Sequence, residues 1–475
     1  MDILVSAILG DLVSRSASFV IGKYFRQQPG IDMILQRLQR VVQRIDTVVE
    51  DAEGRRITNQ GMLRQLKTLR QGMYRGRYIL DALSFQAALE DEEGVSHPLT
   101  AALLSESSSL AKRLRFSGGA GGGGSSSNRE AAGVLMFGAK NSIREELQRV
   151  VSSLEDTMDA GMKEFLLFLE SYPRVLRQPY AAYLLLEKCM FGRQTERERV
   201  LDFLLHPAAT PILAVLPIVG PTTLVEHVCR DENVRSRFST ILFFPEGSLE
   251  DEGVTDLRGG SNFKVRHQNH ATQSHTRFLI IVETAKDINE GAWRSLKSCV
   301  TRMAPCGGSK IIVTGRSVRI VDLGTTGALS LGRVPREAYW YLFKSLAFGS
   351  ANPGEHRSMA AMAMEIASEH RQCLISAHMV AGLLRDNFSP GFWRAVLGSV
   401  RAYRNEDGQR YYWRLGRSCK YFLICSHHQS DSSEQVPKIS VQEIISGRGG
   451  TLPLPRGKFE ALAWRSCIPP YYNYT

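Results

Sequence analysis

The sequence has no Cys-x-x-Cys pair among its eight cysteines. Thiols scattered in this way point to a reduced, cytosolic compartment and away from a disulfide framework. The nearest approach to a ligand cluster, Cys419, Cys425, His427 and His428, lacks the paired spacing of a structural zinc site. Long hydrophobic runs are missing as well. Asp2, Asp11, Arg15 and Lys23 interrupt the apolar start, and no basic segment leads into a cleavable site, so neither a signal peptide nor a membrane span is expected there. A Gly-x-Ser-x-Gly elbow and a His-Glu-x-x-His pair are both absent, which removes two common hydrolase signatures. So is any leucine pattern repeating every 20–29 residues. The net charge of +11 is spread along the chain and no helix-turn-helix, zinc-finger or RNA-recognition signature accompanies it, so no nucleic-acid partner is expected.

What is present is an ordinary globular composition, 43% hydrophobic and 23% charged, over 475 residues. That length suggests about three domains. Ile31, Leu35, Leu38, Val42, Ile45 and Val49 alternate steps of four and three, the seam of a helix packed on other helices. Leu63, Leu66, Leu69, Met73 and Leu80 mark a second such face. With residues 3–20 and 100–114 they make a small antiparallel bundle over 1–114. A Gly/Ser-rich stretch, 115–133, reads as a flexible linker. Helical periodicity returns at Ile143, Leu147, Val150, Leu154 and Met158 in what reads as a connector, 134–186.

Beyond it the texture changes. Apolar, β-branched runs at 212–219, 239–244, 278–282 and 310–314 alternate with helical patterns, as a parallel sheet covered on both faces requires. The fold class is therefore multidomain α and α/β: the helical bundle, an α/β domain over 187–325, and a helical subdomain over 326–400. The last stretch, 401–475, is read as an irregular tail.

This order of elements, together with several local motifs, resembles the coiled-coil class of plant nucleotide-binding leucine-rich-repeat disease resistance proteins, whose α/β domain is P-loop NTPase-like. The resemblance covers roughly the first 390 residues, and the sequence reads as one that stops before the repeats. The segment Leu-Arg-Gln-Gly-Met-Tyr-Arg-Gly-Arg-Tyr-Ile-Leu-Asp-Ala-Leu, 69–83, is similar to the family's acidic helix but carries Arg75 and Arg77 where acids are usual. Phe191-Gly192-Arg193 ahead of a helix resembles the family's entry to the nucleotide-binding domain. The resemblance implies that Phe191 and Arg193 lie beside an adenine.

A phosphate-binding loop needs Gly-x-x-x-x-Gly-Lys-Ser/Thr after a buried strand. Its glycines let backbone amides curl around the phosphates, its Lys reaches the β- and γ-phosphates, and its hydroxyl binds Mg²⁺. Here the strand runs into Gly220-Pro221-Thr222-Thr223, with the glycine-rich middle and the Lys missing. Each lost charge-assisted hydrogen bond is worth roughly 1.5–3 kcal/mol. A net loss of about 4 kcal/mol lowers affinity on the order of a thousandfold. In Phe278-Leu279-Ile280-Ile281-Val282-Glu283-Thr284, Glu283 takes the position of a Mg²⁺ ligand and Thr284 that of the water-activating acid. A solvated Glu at a strand end fits Glu283 equally well. The run 308–317 resembles the family's strand whose arginine, here Arg316, senses the γ-phosphate. The proline loop survives at best as Cys373-Leu374-Ile375-Ser376-Ala377, without its proline, and no Met-His-Asp latch is found.

The resemblance thus implies a plant defence protein of the cytoplasm, acting through its bundle on other immune receptors, on signalling proteins or on a second copy. No ATP hydrolysis is expected, and no cofactor is assigned with certainty. The alternative is a weak ADP/ATP switch with Mg²⁺, held by Phe191, Gly192, Arg193, Gly220, Thr222, Thr223, Glu283 and Arg316. Membrane association is expected only conditionally, through the apolar first helix after oligomerisation.

Overall fold

The structure, a computed structural model, describes residues 29–55, 57–93, 128–159, 161–174, 186–187, 189–206, 213–249, 263–268, 277–285, 288–304, 307–370, 372–403, 411–414, 422–425, 439–446, 461–469 and 471–474. The expected helices at 3–20 and 100–114 lie outside them, as does most of the Gly/Ser stretch.

Helix α1 (Pro29–Glu53) carries the heptad seam on its buried face, with Pro29 in the first turn, where a missing N–H costs nothing. Helix α2 (Gln60–Glu93) begins where the Asn59 side chain accepts from the amides of Gly61 and Met62 at 2.8 and 3.2 Å. Helix α3 (Asn128–Asp159) starts inside the stretch expected to be linker, and it is no mere connector. Leu147, Val150, Val151 and Leu154 pack into the same core as Leu35, Leu38 and Leu69. Gly76 explains how closely the helices approach, since a Cβ there would lie 2.2 Å from Val42 Cγ2. Helix α4 (Met162–Glu170) then buries Met162, Phe165 and Leu169 against the bundle.

Helix α5 (Gln194–Leu205) leads into a six-stranded sheet. Its strands are β1 (Ala214–Val219), β2 (Thr240–Phe244), β3 (Lys264–Gln268), β4 (Phe278–Thr284), β5 (Lys310–Gly315) and β6 (Leu329–Ser330), in the order β3-β2-β4-β5-β1-β6. All pairings are parallel except β2 with β3. The four expected strands are found. The edge strand β3 reads Lys-Val-Arg-His-Gln and is largely exposed, so no apolar run announces it. Helices α6 (Thr223–Val228), α7 (Glu232–Arg237) and α8 (Glu290–Met303) connect the strands.

Lys310, at the start of β5, is 2% exposed. Its ammonium donates to the carbonyls of Phe203, of Leu204 at 3.3 Å and of His206 at 2.5 Å, closing the C-terminal end of α5. Burial pushes its pKa down to about 8.

The helical subdomain comprises α9 (Arg336–Phe348), α10 (Arg357–Glu369), α11 (Leu374–Asp386) and α12 (Pro390–Tyr403). Its buried residues, among them Tyr339, Phe343, Met364 and Trp393, form one continuous core with the bundle, whereas the two faces of the sheet carry cores of their own. Of the arginines noted on α2, Arg77 turns inward and Arg75 stays exposed. Arg77 donates to Asp46 at 2.5 Å and lies 5.7 Å over the Tyr341 ring, while Arg75 pairs with Glu146 at 3.5 Å. Asp81 accepts from Trp340 Nε1 at 2.9 Å and from Lys344.

The stretch expected to be irregular is partly ordered. It holds β7 (Tyr411–Arg414), β8 (Phe422–Cys425), α13 (Val441–Ser446) and the strand pair β9 (Trp464–Arg465) and β10 (Asn473–Tyr474). Ring stacking of Trp464 on Tyr474, at 5.2 Å, takes the place of a periodic apolar face.

Candidate nucleotide-site remnant

Strands β1, β5 and β4 end side by side, in the position where open α/β sheets bind ligands. The turn after β1 is closed from below by Gly220, whose N–H donates to Gly315 O at 2.9 Å. Thr222, 8% exposed, reaches across β5. Its hydroxyl donates to Glu283 Oε1 at 2.6 Å and lies 3.0 Å from the hydroxyl of Thr314, itself fully buried. Register makes this possible, because Thr314 stands beside both Ile218 and Glu283. Leu331 lies over Gly220, anchored by its N–H to Val219 O at 2.8 Å, and a Cβ on Gly220 would fall 2.5 Å from Leu331 Cβ.

Of the residues picked out in the sequence, Gly220, Thr222 and Glu283 therefore come together, with Thr223 next in line as the first residue of α6. Arg316 follows directly on β5 and is exposed. Gly192 adopts φ 70°, and Arg193 donates to Gly332 O at 2.5 Å, one residue beyond the leucine over the turn. Burial lowers the Arg193 pKa. Phe191 is 4% exposed and faces the other way, stacked on Tyr341 at 6.5 Å and tilted against Tyr74 at 5.9 Å within the bundle core. The Cys373–Ala377 stretch is not a loop either. It opens α11, with Cys373 as its cap residue.

A bound nucleotide with Mg²⁺ needs free backbone amides, a cation for the phosphates, and room. The residues present do not fit it. The one amide at the glycine is already donated to Gly315, Leu331 covers the outer side of that glycine, and Thr222 and Glu283 bond to each other. Lys310 cannot serve, since it sits at the opposite end of β5, about 16 Å away along the strand. Among the described residues no three His, Cys, Asp or Glu side chains are grouped to hold a metal ion. Also among the described residues, no helix is long and apolar enough to cross a membrane. What the arrangement does is tie the turn after β1 to the ends of β4 and β5 by one hydroxyl–carboxylate and one hydroxyl–hydroxyl bond. Sequence reading missed Thr314 and Leu331. Thr314 lies inside the recognised 308–317 run, but only the register of the sheet shows that it faces Thr222.

Helical bundle, parallel α/β sheet and strand-turn-helix site define a class: a helical N-terminal part followed by a P-loop NTPase-like α/β domain. Comparison with known proteins adds a domain match and similar proteins. The Rx N-terminal domain model matches residues 6–115. The putative disease resistance RPP13-like protein 1 of Arabidopsis thaliana is 24% identical over 419 residues, covering 84% of this chain and 37% of the relative. The putative disease resistance protein RGA1 and the disease resistance protein RGA2 of Solanum bulbocastanum are 22% and 21% identical, each over 77% of this chain and over 35% and 36% of their own lengths. The chain is thus similar, over most of its length, to plant disease resistance proteins and carries an Rx N-terminal domain match at its start, and it spans little more than a third of the length of these relatives.

Proposed function

We propose that the chain acts in plant defence as a noncatalytic interaction protein of the cytoplasm. In this reading its bundle engages other immune receptors, signalling proteins or a second copy of itself, and it does not hydrolyse ATP. One observation carries the catalytic half: the Thr222–Glu283–Thr314 network occupies with protein contacts the groups that would meet a nucleotide and its metal. The interaction half is supported by the Rx N-terminal match and by the well-packed bundle. The face of α2 that carries Arg77 and Asp81 is taken up within the chain, whereas Arg40 and Arg44 of α1 are exposed among the described residues and are the positions assigned to a partner.

Pull-down with the full chain against receptor bundles and a second tagged copy tests this. Arg40→Glu with Arg44→Glu is expected to weaken capture roughly tenfold at unchanged helicity, since rim charges steer association and reversal adds repulsion. Absence of any capture by the wild-type chain would contradict the reading.

A further inference from the structure

The bundle and the helical subdomain share one core and the sheet has cores of its own; α2 meets α5 through the Lys67–Glu196 pair at 2.7 Å and the Arg70–Gln194 bond at 3.2 Å. The C-terminal strand pair lies across that divide. On the sheet side, Pro469 O accepts from the His227 ring at 2.7 Å and the Tyr472 hydroxyl donates to Glu226, both on α6. On the helical side, Trp464 stacks on His378 of α11 at 4.7 Å and an interplanar angle of 13°. Just before it in the chain, Ala461 joins Val441 and Ile444 in a small core that Leu383 of α11 packs against, and Asn387 donates to Gln442 at 2.7 Å.

We propose that β9–β10 is a latch: it fastens α6, the helix that follows the shortened turn, to α11, so that sheet and helical body are held together by direct side-chain contact. The junction is built to release. His378 Nδ1 and Asn473 Oδ1 are buried there without a hydrogen-bond partner, and each such orphan offsets part of what docking gains. The charged groups around it are Arg385 beside His378, Arg197 and Asp231 beside His227, and Arg266 paired with Glu226 at 3.2 Å.

Hydrogen–deuterium exchange on the full chain tests the latch, comparing wild type with Trp464→Ala combined with Tyr472→Phe. The expected result is a rise of roughly tenfold in exchange across both 223–228 and 374–386, the factor set by about one net hydrogen bond, with α1, β4 and β5 unchanged. Trp464→Phe, which keeps a ring on His378, should restore protection of 374–386. Unchanged exchange in the double variant, a rise in only one of the two helices, or a uniform rise over the whole chain would each overturn the proposal.

Discussion

Leu38→Asp is expected to unfold the bundle and to loosen the helical subdomain with it. Leu38 is fully buried at the middle of α1, in a core that runs without a break from Leu35 and Val150 to Trp340, Phe343 and Ala360. An unpaired carboxylate there must either stay charged in apolar surroundings or take up a proton, and the leucine's packing is lost in addition. Together these cost about 4–5 kcal/mol or more, against the 5–15 kcal/mol that holds an ordinary domain together. Circular dichroism on heating should show helicity lost well below the wild-type midpoint. Arg37→Ala is the contrasting control. It removes a two-pronged but exposed pair with Glu155, at 2.6 Å in both bonds, and should cost under about 1 kcal/mol. Because Leu38 and Val42 are core and not surface, substitutions there report on folding, and only exposed positions such as Arg40 report on partners.

Acid should weaken the same molecule at the latch. Burial, with a smaller contribution from Arg385, lowers the pKa of His378 to about 4, and burial also lowers that of His227. A histidine whose folded pKa lies below its unfolded value is charged more readily in the unfolded chain. Its stabilisation is complete above about pH 6.5 and is lost as the pH falls toward about 4. His378 is only partly buried, so a discounted loss of about 2 kcal/mol is expected across that window. Denaturant midpoints measured from pH 7 to pH 4 should fall in the wild type and fall less in His378→Phe, which keeps the stack on Trp464 but cannot titrate. Equal slopes for the two would contradict the assignment.

How much of this was legible in the sequence depends on how local each cause is. The seam of α1 and the four buried strands were readable because burial on one face, or on both, leaves a period of its own in the residues. β3 was not readable, since an edge strand exposed along most of its length needs no apolar run. The end of the linker differs because α3 already begins at Asn128, inside the stretch that glycine and serine mark as flexible. At the site, the missing lysine and glycines could be read from spacing. The bond from Thr222 over β5 to Glu283, and the leucine covering Gly220, depend on strand order and on a chain segment some hundred residues away, which no local motif encodes. Phe191 shows the converse. Its motif implied a place beside a nucleotide, and its ring packs in the bundle core against Tyr341. The strand pair β9–β10 was hidden because its anchors are single aromatic and histidine contacts with no repeat.

The central claim is that protein contacts at the strand ends leave no working nucleotide site. Isothermal titration of the full chain with ADP and Mg²⁺ tests it most directly. The expected result is no binding heat up to millimolar nucleotide, for the wild type and Arg316→Ala alike; micromolar affinity in the wild type that disappears in Arg316→Ala would contradict it.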